Sequence, residues 1–230
     1  GRIIAIGREA TDKFDVIVYA ITGRSPSSQA RRLEKVGHAI VTTPTDPEVL
    51  KTGNPDLLVY PAIVCAGRVA VSNGKQTEDL AKATAVPLAA ALEEALAGWS
   101  FEPDDPIFTP RISGLLGSFG RAALSSIKRA PDGTARRLYY EWMLQPGRAE
   151  MIATYAGPNR NPLPVFAGEP LPLRLVEPSA EAAAAAFYDA LGPEGRAGDF
   201  RVAVACAFIP RNSEARPDVF IINRHERTRP

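Results

Sequence analysis

The chain has 230 residues, 45% of them apolar, with 27 basic and 26 acidic side chains and a formal net charge of +1. That length and composition suit a packed globular unit with a sizeable core, read here as one domain over 1–230. The near-neutral balance argues against bulk contact with nucleic acid or an anionic membrane surface, so any anion site must be local.

Short β-branched runs bounded by Gly, Pro, Asn or Asp dominate the chain. "RIIAIG" and "FDVIVYAIT" open it as strands. The second ends at Gly23 and is followed by "GRSPSSQAR", which gathers two arginines, three serines and a glutamine. Guanidinium forks with hydroxyl and backbone donors are the combination a phosphate needs; a solvated polar turn is the bland reading. The adjoining "ARRLEK" reads as a basic helix start. Next come "HAIVTTP", "LLVYPAIVCAG" and "RVAVSNG" as strands, with a hairpin turn at "AGR". Tyr60 falls inside an apolar run, where core packing is the default.

Asn73-Gly74 marks a turn, and Lys75, Gln76 and Thr77 place donors at a helix start, with Thr77 read as the cap of "TEDLAKAT". Pro87 opens the helix "PLAAALEEALAGW". "FEPDDPIFTPRISG" then sets three acids, a threonine and Arg111 before a return to sheet; such carboxylates suit acid–base work or form a solvated loop. "RAALSSIKR" and "RLYYEWML" are strands joined by "PDGT", and "AEMIATYA" follows them. The proline-rich segment 157–173, with Asn159 and Asn161, reads as an ordered long loop. Ser179 caps the alanine-rich helix "AEAAAAAFYDAL", and "RVAVACAFI" and "DVFIINR" close the sheets. The basic tail reads as a solvated terminus. About ten strands with two helical regions give an α+β layered architecture.

Cys65 and Cys206 sit in apolar runs and read as buried reduced thiols, and the separation of His38 from His225 argues against a metal site. With no 18-residue apolar stretch and no signal-peptide pattern at "GRIIAIGREA", a cytoplasmic chain without a membrane span is expected.

"GRIIAIG" at the start, Arg24-Ser25 with Arg31, "NP" at 54–55 before Tyr60, "VSNG" at 71–74 before Thr77, and "FE", "D" and "TPRI" within 101–112 follow one another in order. This series resembles the archaeal-type IMP cyclohydrolase family, and "TYAGPNRNPLPVFAGEP" at 154–170 resembles its longer bacterial members. The resemblance implies a four-layer αββα sandwich like that of the N-terminal-nucleophile hydrolases, without a processed N-terminal nucleophile. It implies closure of 5-formamidoimidazole-4-carboxamide ribotide to IMP and water, with no cofactor or metal, and a homo-oligomer. Carried onto this chain, Arg24, Ser27, Ser28 and Arg31 form the anion end, the family's loop arginine falling on Arg31 or Arg24. Tyr60 and Glu102 take the ring-closing proton transfers or orient the carboxamide, and Asn73 and Gly74 contact the ribotide. Thr109 and Arg111 match "TPR", Arg111 as a phosphate or carbonyl partner. A related cyclase or amide hydrolase acting on another ribotide, and a non-catalytic purine-nucleotide-binding module, are the competing readings.

Overall fold

A computed structural model of the chain describes residues 1–46, 48, 55–157, 160–193, 198–211 and 215–227. Thirteen strands among these residues form two antiparallel sheets. One is a meander of seven in chain order: β3 (Arg31–Val36), β4 (Ala39–Pro44), β5 (Tyr60–Val64), β6 (Val69–Ser72), β7 (Arg111–Leu116), β8 (Arg121–Arg129) and β9 (Ala135–Met143). The other draws on both ends of the chain: β1 (Arg2–Arg8) and β2 (Phe14–Thr22) lie between β10 (Arg148–Ala153), with β11 (Leu171–Arg174) at its edge, and β12 (Arg201–Pro210), with β13 (Asp218–Asn223) at the other edge.

Because side chains alternate along a strand, each sheet has two apolar faces to cover. Ile4, Ile6, Tyr19 and Ile21 of the six-stranded sheet pack against Ile63, Val71, Ile112 and Leu124 of the seven-stranded sheet in one core. The β1–β2 register sets Ile4 opposite Tyr19 and Ile6 opposite Ile17, which aligns this inner face. Helix α5 (Ala180–Ala190) lays Ala183, Ala184 and Tyr188 on the other face of the six-stranded sheet, against Val18, Val204 and Phe208. Helix α4 (Leu88–Leu96) covers Ala70, Leu115 and Ile127 of the seven-stranded sheet with Leu88, Leu92 and Leu96. Alanine suits these faces because its small side chain lets a helix approach a sheet closely. The fold is mixed α+β with mostly antiparallel sheets, and no helix among the described residues is long and apolar enough to cross a membrane.

All ten expected strands are present, and both hairpin turns form, with Gly67 and Gly133 at positive φ. The structure corrects three local expectations. "ARRLEK" begins β3 rather than a helix: Arg31 and Leu33 are buried and Arg32 is exposed, a period of two. What precedes it is a single turn, α1 (Pro26–Gln29), capped by Ser25, and a second single turn, α2 (Pro55–Leu58), precedes β5. Thr77 does not cap α3 (Thr77–Lys82); Gln76 holds that position without a side-chain cap bond, while the Thr77 hydroxyl turns inward to Ser72 and the Gly74 carbonyl. Pro87 likewise precedes α4 as its cap rather than its first residue. Cys206 is fully buried and Cys65 half-buried, and both are free thiols.

Gly114 is a place where the two sheets meet closely. A β-carbon there would stand 2.6 Å from Ile6 Cδ1 of the facing sheet and 3.0 Å from Leu124 Cδ2. Gly114→Ala should therefore overpack the core and cost about 1–3 kcal/mol, read as a lower denaturation midpoint with an unchanged m-value.

Candidate active site

Arg2 shares a strand face with Ile4 and Ile6, so its period places a guanidinium between the sheets. There Arg2 Nε donates to the Tyr60 hydroxyl (3.4 Å), which lies 2.8 Å from the hydroxyl of Tyr19. A second Arg2 nitrogen stands 3.8 Å from Glu102 Oε1. Glu102 also accepts from Asn73 Nδ2 (3.1 Å). The orientation of the Asn73 amide is fixed by backbone: Nδ2 donates to the Pro110 carbonyl (2.9 Å) and Oδ1 accepts from the Ile112 N–H (2.8 Å). Gln76 donates to the same Oδ1 (3.3 Å) and accepts from Arg111 (3.1 Å), whose guanidinium lies 4.9 Å from the centre of a Trp99 ring. Gly74 leaves room for this Gln76–Arg111 contact, because a β-carbon would fall against both side chains.

Above this network opens a cavity of about 460 Å³ whose walls include Arg2, Arg24, Arg31, Asp104, Thr109 and Tyr155. Arg31 is 3% exposed and donates Nε to the Ser28 carbonyl (3.1 Å). Among the described residues no carboxylate lies within ion-pair distance of it. Burial, helped by the neighbouring charge of Arg2, lowers the Arg31 guanidinium to about 10. Burial also disfavours charge on Arg2, yet Tyr60, Glu102 and Tyr19 raise it well above its ordinary value. Glu102 is held above the ordinary carboxylate range by burial, against the pull of Arg2 and Arg111. Burial raises the Tyr19 phenol well above its usual value. Arg111 keeps a buried Nε with no hydrogen-bond partner among the described residues. Three buried guanidiniums thus face one buried glutamate, and an added anion would complete the balance.

The sequence-derived candidates fall into groups. Arg24, Ser28, Arg31 and Thr109 line the cavity, and Arg24 also reaches the Arg160 carbonyl (3.3 Å). Tyr60, Glu102 and Asn73 lie beneath it, Tyr60 hydrogen-bonded to Arg2, Glu102 ion-paired with Arg2 and Asn73 hydrogen-bonded to Glu102, with Arg2 joining them to the cavity. Gly74 and Arg111 are one step further, around Gln76. Ser27 is exposed outside the cavity lining, with its hydroxyl 3.2 Å from that of Ser25. The Ser28 hydroxyl is engaged in the α1 cap, accepting from Ser25 N (3.0 Å) and donating to the Ser25 carbonyl (2.9 Å). Lys75 and Asn161 are exposed, and Asn54 and Asn159 lie outside the described residues. Sequence reasoning did not single out Arg2, Tyr19 or Tyr155; it placed Gln76 only among the donors of a helix start and Asp104 only among the acids of its loop. For Arg2 and Tyr19 a signal existed: each falls in step with the inward-facing isoleucines of its strand. Among the described residues no group of three or more His, Cys, Asp or Glu is placed to hold a metal ion.

Glu102 also yields a stability test. Its folded-state value is raised, so ionising it costs the folded protein stability; the cost is absent below the unfolded value of about 4 and complete above the folded one. Glu102→Gln keeps the acceptor for Asn73 and removes the charge. Its melting temperature should match the wild type near pH 4 and exceed it at pH 8. Equal melting curves at both pH values would contradict a strained carboxylate.

Comparison with known proteins bears on this arrangement. The family model described as "IMP cyclohydrolase-like protein" matches residues 1–210. No curated protein matches the chain. The match spans most of the sequence, and the chain belongs to the IMP cyclohydrolase-like family.

Proposed function

We propose that this member of the family is an IMP cyclohydrolase, closing 5-formamidoimidazole-4-carboxamide ribotide to IMP with release of water. The observation that carries the reading is buried Arg31: a cation with no carboxylate within ion-pair distance among the described residues, facing a cavity that adjoins the Arg2–Tyr60–Glu102 cluster. A ribotide supplies the missing anion as its 5′-phosphate, met by Arg31 and Arg24. The base then lies toward Arg2.

The carboxamide nitrogen attacks the formyl carbon of the same molecule, forming the C–N bond of the new ring and a tetrahedral carbinolamine. Loss of the nitrogen proton and of the carbinol oxygen as water completes the pyrimidine ring. Both reacting groups belong to one molecule, so much of the catalysis is holding them in an attacking conformer. Arg2, which faces the cavity and is held by Tyr60 and Glu102, places donors where charge develops on the formyl oxygen. Tyr60, hydrogen-bonded to Arg2, and Glu102, its ion-pair partner at 3.8 Å, take the proton transfers. Asn73, its amide locked by backbone, keeps Glu102 in place.

The same reading extends to architecture: one domain over 1–230 with helices outside two packed sheets, a four-layer αββα sandwich resembling the N-terminal-nucleophile hydrolases, working in the cytoplasm as a homo-oligomer. The helix-covered outer faces and the shared inner core support the layering.

Absorbance-monitored ring closure of the formamido ribotide tests the reaction. Tyr60→Phe and Glu102→Gln should each lower kcat by about 10²–10⁴-fold while IMP still binds. Undiminished turnover in a variant removes that residue from the chemistry, and tight IMP binding without closure by the wild type makes this a binding protein instead. Arg31→Met should raise KM tenfold or more, by about 1.4 kcal/mol of lost phosphate binding.

A further inference from the structure

Part of the cavity wall is a chain of three side chains that ring closure does not use. Asp104, Thr109 and Tyr155 all line the cavity. The Thr109 N–H donates to Asp104 Oδ1 (2.6 Å) and the Thr109 hydroxyl donates to Asp104 Oδ2. The Tyr155 hydroxyl lies 2.6 Å from Thr109 Oγ1. A carboxylate only accepts, so the single hydroxyl proton of Thr109 points at Asp104. The contact between Thr109 and Tyr155 must then use the phenolic proton of Tyr155. Every proton in the chain is committed away from the ligand space. What Tyr155 and Asp104 offer the cavity is oxygen lone pairs. Among the described residues no Lys, Arg or His lies within ion-pair distance of Asp104. Tyr155 is fixed from behind by its bridge to Val165 and by the bond from Phe166 N to the Thr154 carbonyl (3.2 Å).

The cavity therefore has two chemical characters. Arg2, Arg24 and Arg31 only donate and ask for an anion; Asp104 and Tyr155 accept and ask for hydroxyl or amide hydrogens. In a ribotide the carboxamide is committed to the Arg2–Glu102 end, which leaves the sugar hydroxyls as the donors for this patch. We propose that Asp104, Thr109 and Tyr155 form a sugar-hydroxyl subsite that reads the 2′- and 3′-hydroxyls and selects ribonucleotide over deoxynucleotide. The assignment to ribose rests on the ribotide reading of this cavity. The acceptor-only character rests on the hydrogen-bond directions alone.

Calorimetric titration of the whole chain with IMP, 2′-deoxy-IMP and 3′-deoxy-IMP tests it. The wild type should bind IMP about tenfold or more tightly than at least one deoxy form, since a half-buried acceptor that the ligand covers loses its donor. Tyr155→Phe and Asp104→Asn should each bring that ratio to within about twofold of one, with inorganic phosphate binding unchanged. Two variants are needed because either could disturb folding, which circular dichroism reports. Equal binding of all three nucleotides by the wild type, or an unaltered ratio in both variants, overturns the subsite. Ribose 5-phosphate against 2-deoxyribose 5-phosphate separates this from the reaction. Preference for the ribose form that depends on Tyr155, without ring closure, upholds the subsite and sinks the cyclohydrolase. Ring closure with no penalty for either deoxy form does the reverse.

Discussion

Guanidinium groups buried between two sheets set the terms for the rest of this molecule. An arginine taken from water needs acceptors or a counter-charge, and Arg2 finds them in Tyr60 and Glu102, while Arg31 has a backbone carbonyl and, among the described residues, no carboxylate within ion-pair distance. Two β-sheets packed on isoleucine and valine could have filled this end with apolar side chains. Instead the inner faces carry Arg2, Tyr19 and Tyr60 in register with their isoleucines, and the neighbouring loops deliver Glu102 and Asn73. The stability of the empty protein and its capacity for an anionic ligand are therefore set by the same charges.

Much of the fold was legible because its signals are local. β-branched runs between Gly and Pro gave ten strands, and Ser179 with the alanine run gave α5. Failures came where chemistry overrides local pattern. "ARRLEK" carries four charged residues in six, which suits a helix surface, yet Arg31 is buried as part of the site. β11 escaped notice because Pro172 weakens its pattern; a proline is tolerated there since β11 is an edge strand. Thr77 looked like a cap because its position fitted, but its hydroxyl is used by Ser72 and Gly74 in the turn that holds Asn73.

The site was legible to a lesser degree. Tyr60, Glu102 and Asn73 emerged from a resemblance rather than from periodicity, since nothing in sequence spacing brings residues 60, 73 and 102 together. Reading Arg2 as an inward residue would have been possible from its step with Ile4 and Ile6. That Asp104 and Tyr155 share one site was out of reach, because Thr109, which bonds both, joins the loop after α4 to the residues just past β10, and only tertiary structure sets that distance.

The strand orders of the two sheets carry a consequence for how the chain matures. The seven-stranded sheet is a meander, so each strand finds its partner within the next stretch of sequence as it forms. The six-stranded sheet pairs β1 with β10 and β2 with β12, across separations of more than a hundred residues. During synthesis the meander can gather early, carrying Tyr60 and Asn73, while the strands that hold Arg2 and Tyr19 wait for the last third of the chain. The site is thus complete only when the two sheets meet, since Arg31 and Arg111 come with the meander and Arg2 and Tyr19 with the other sheet.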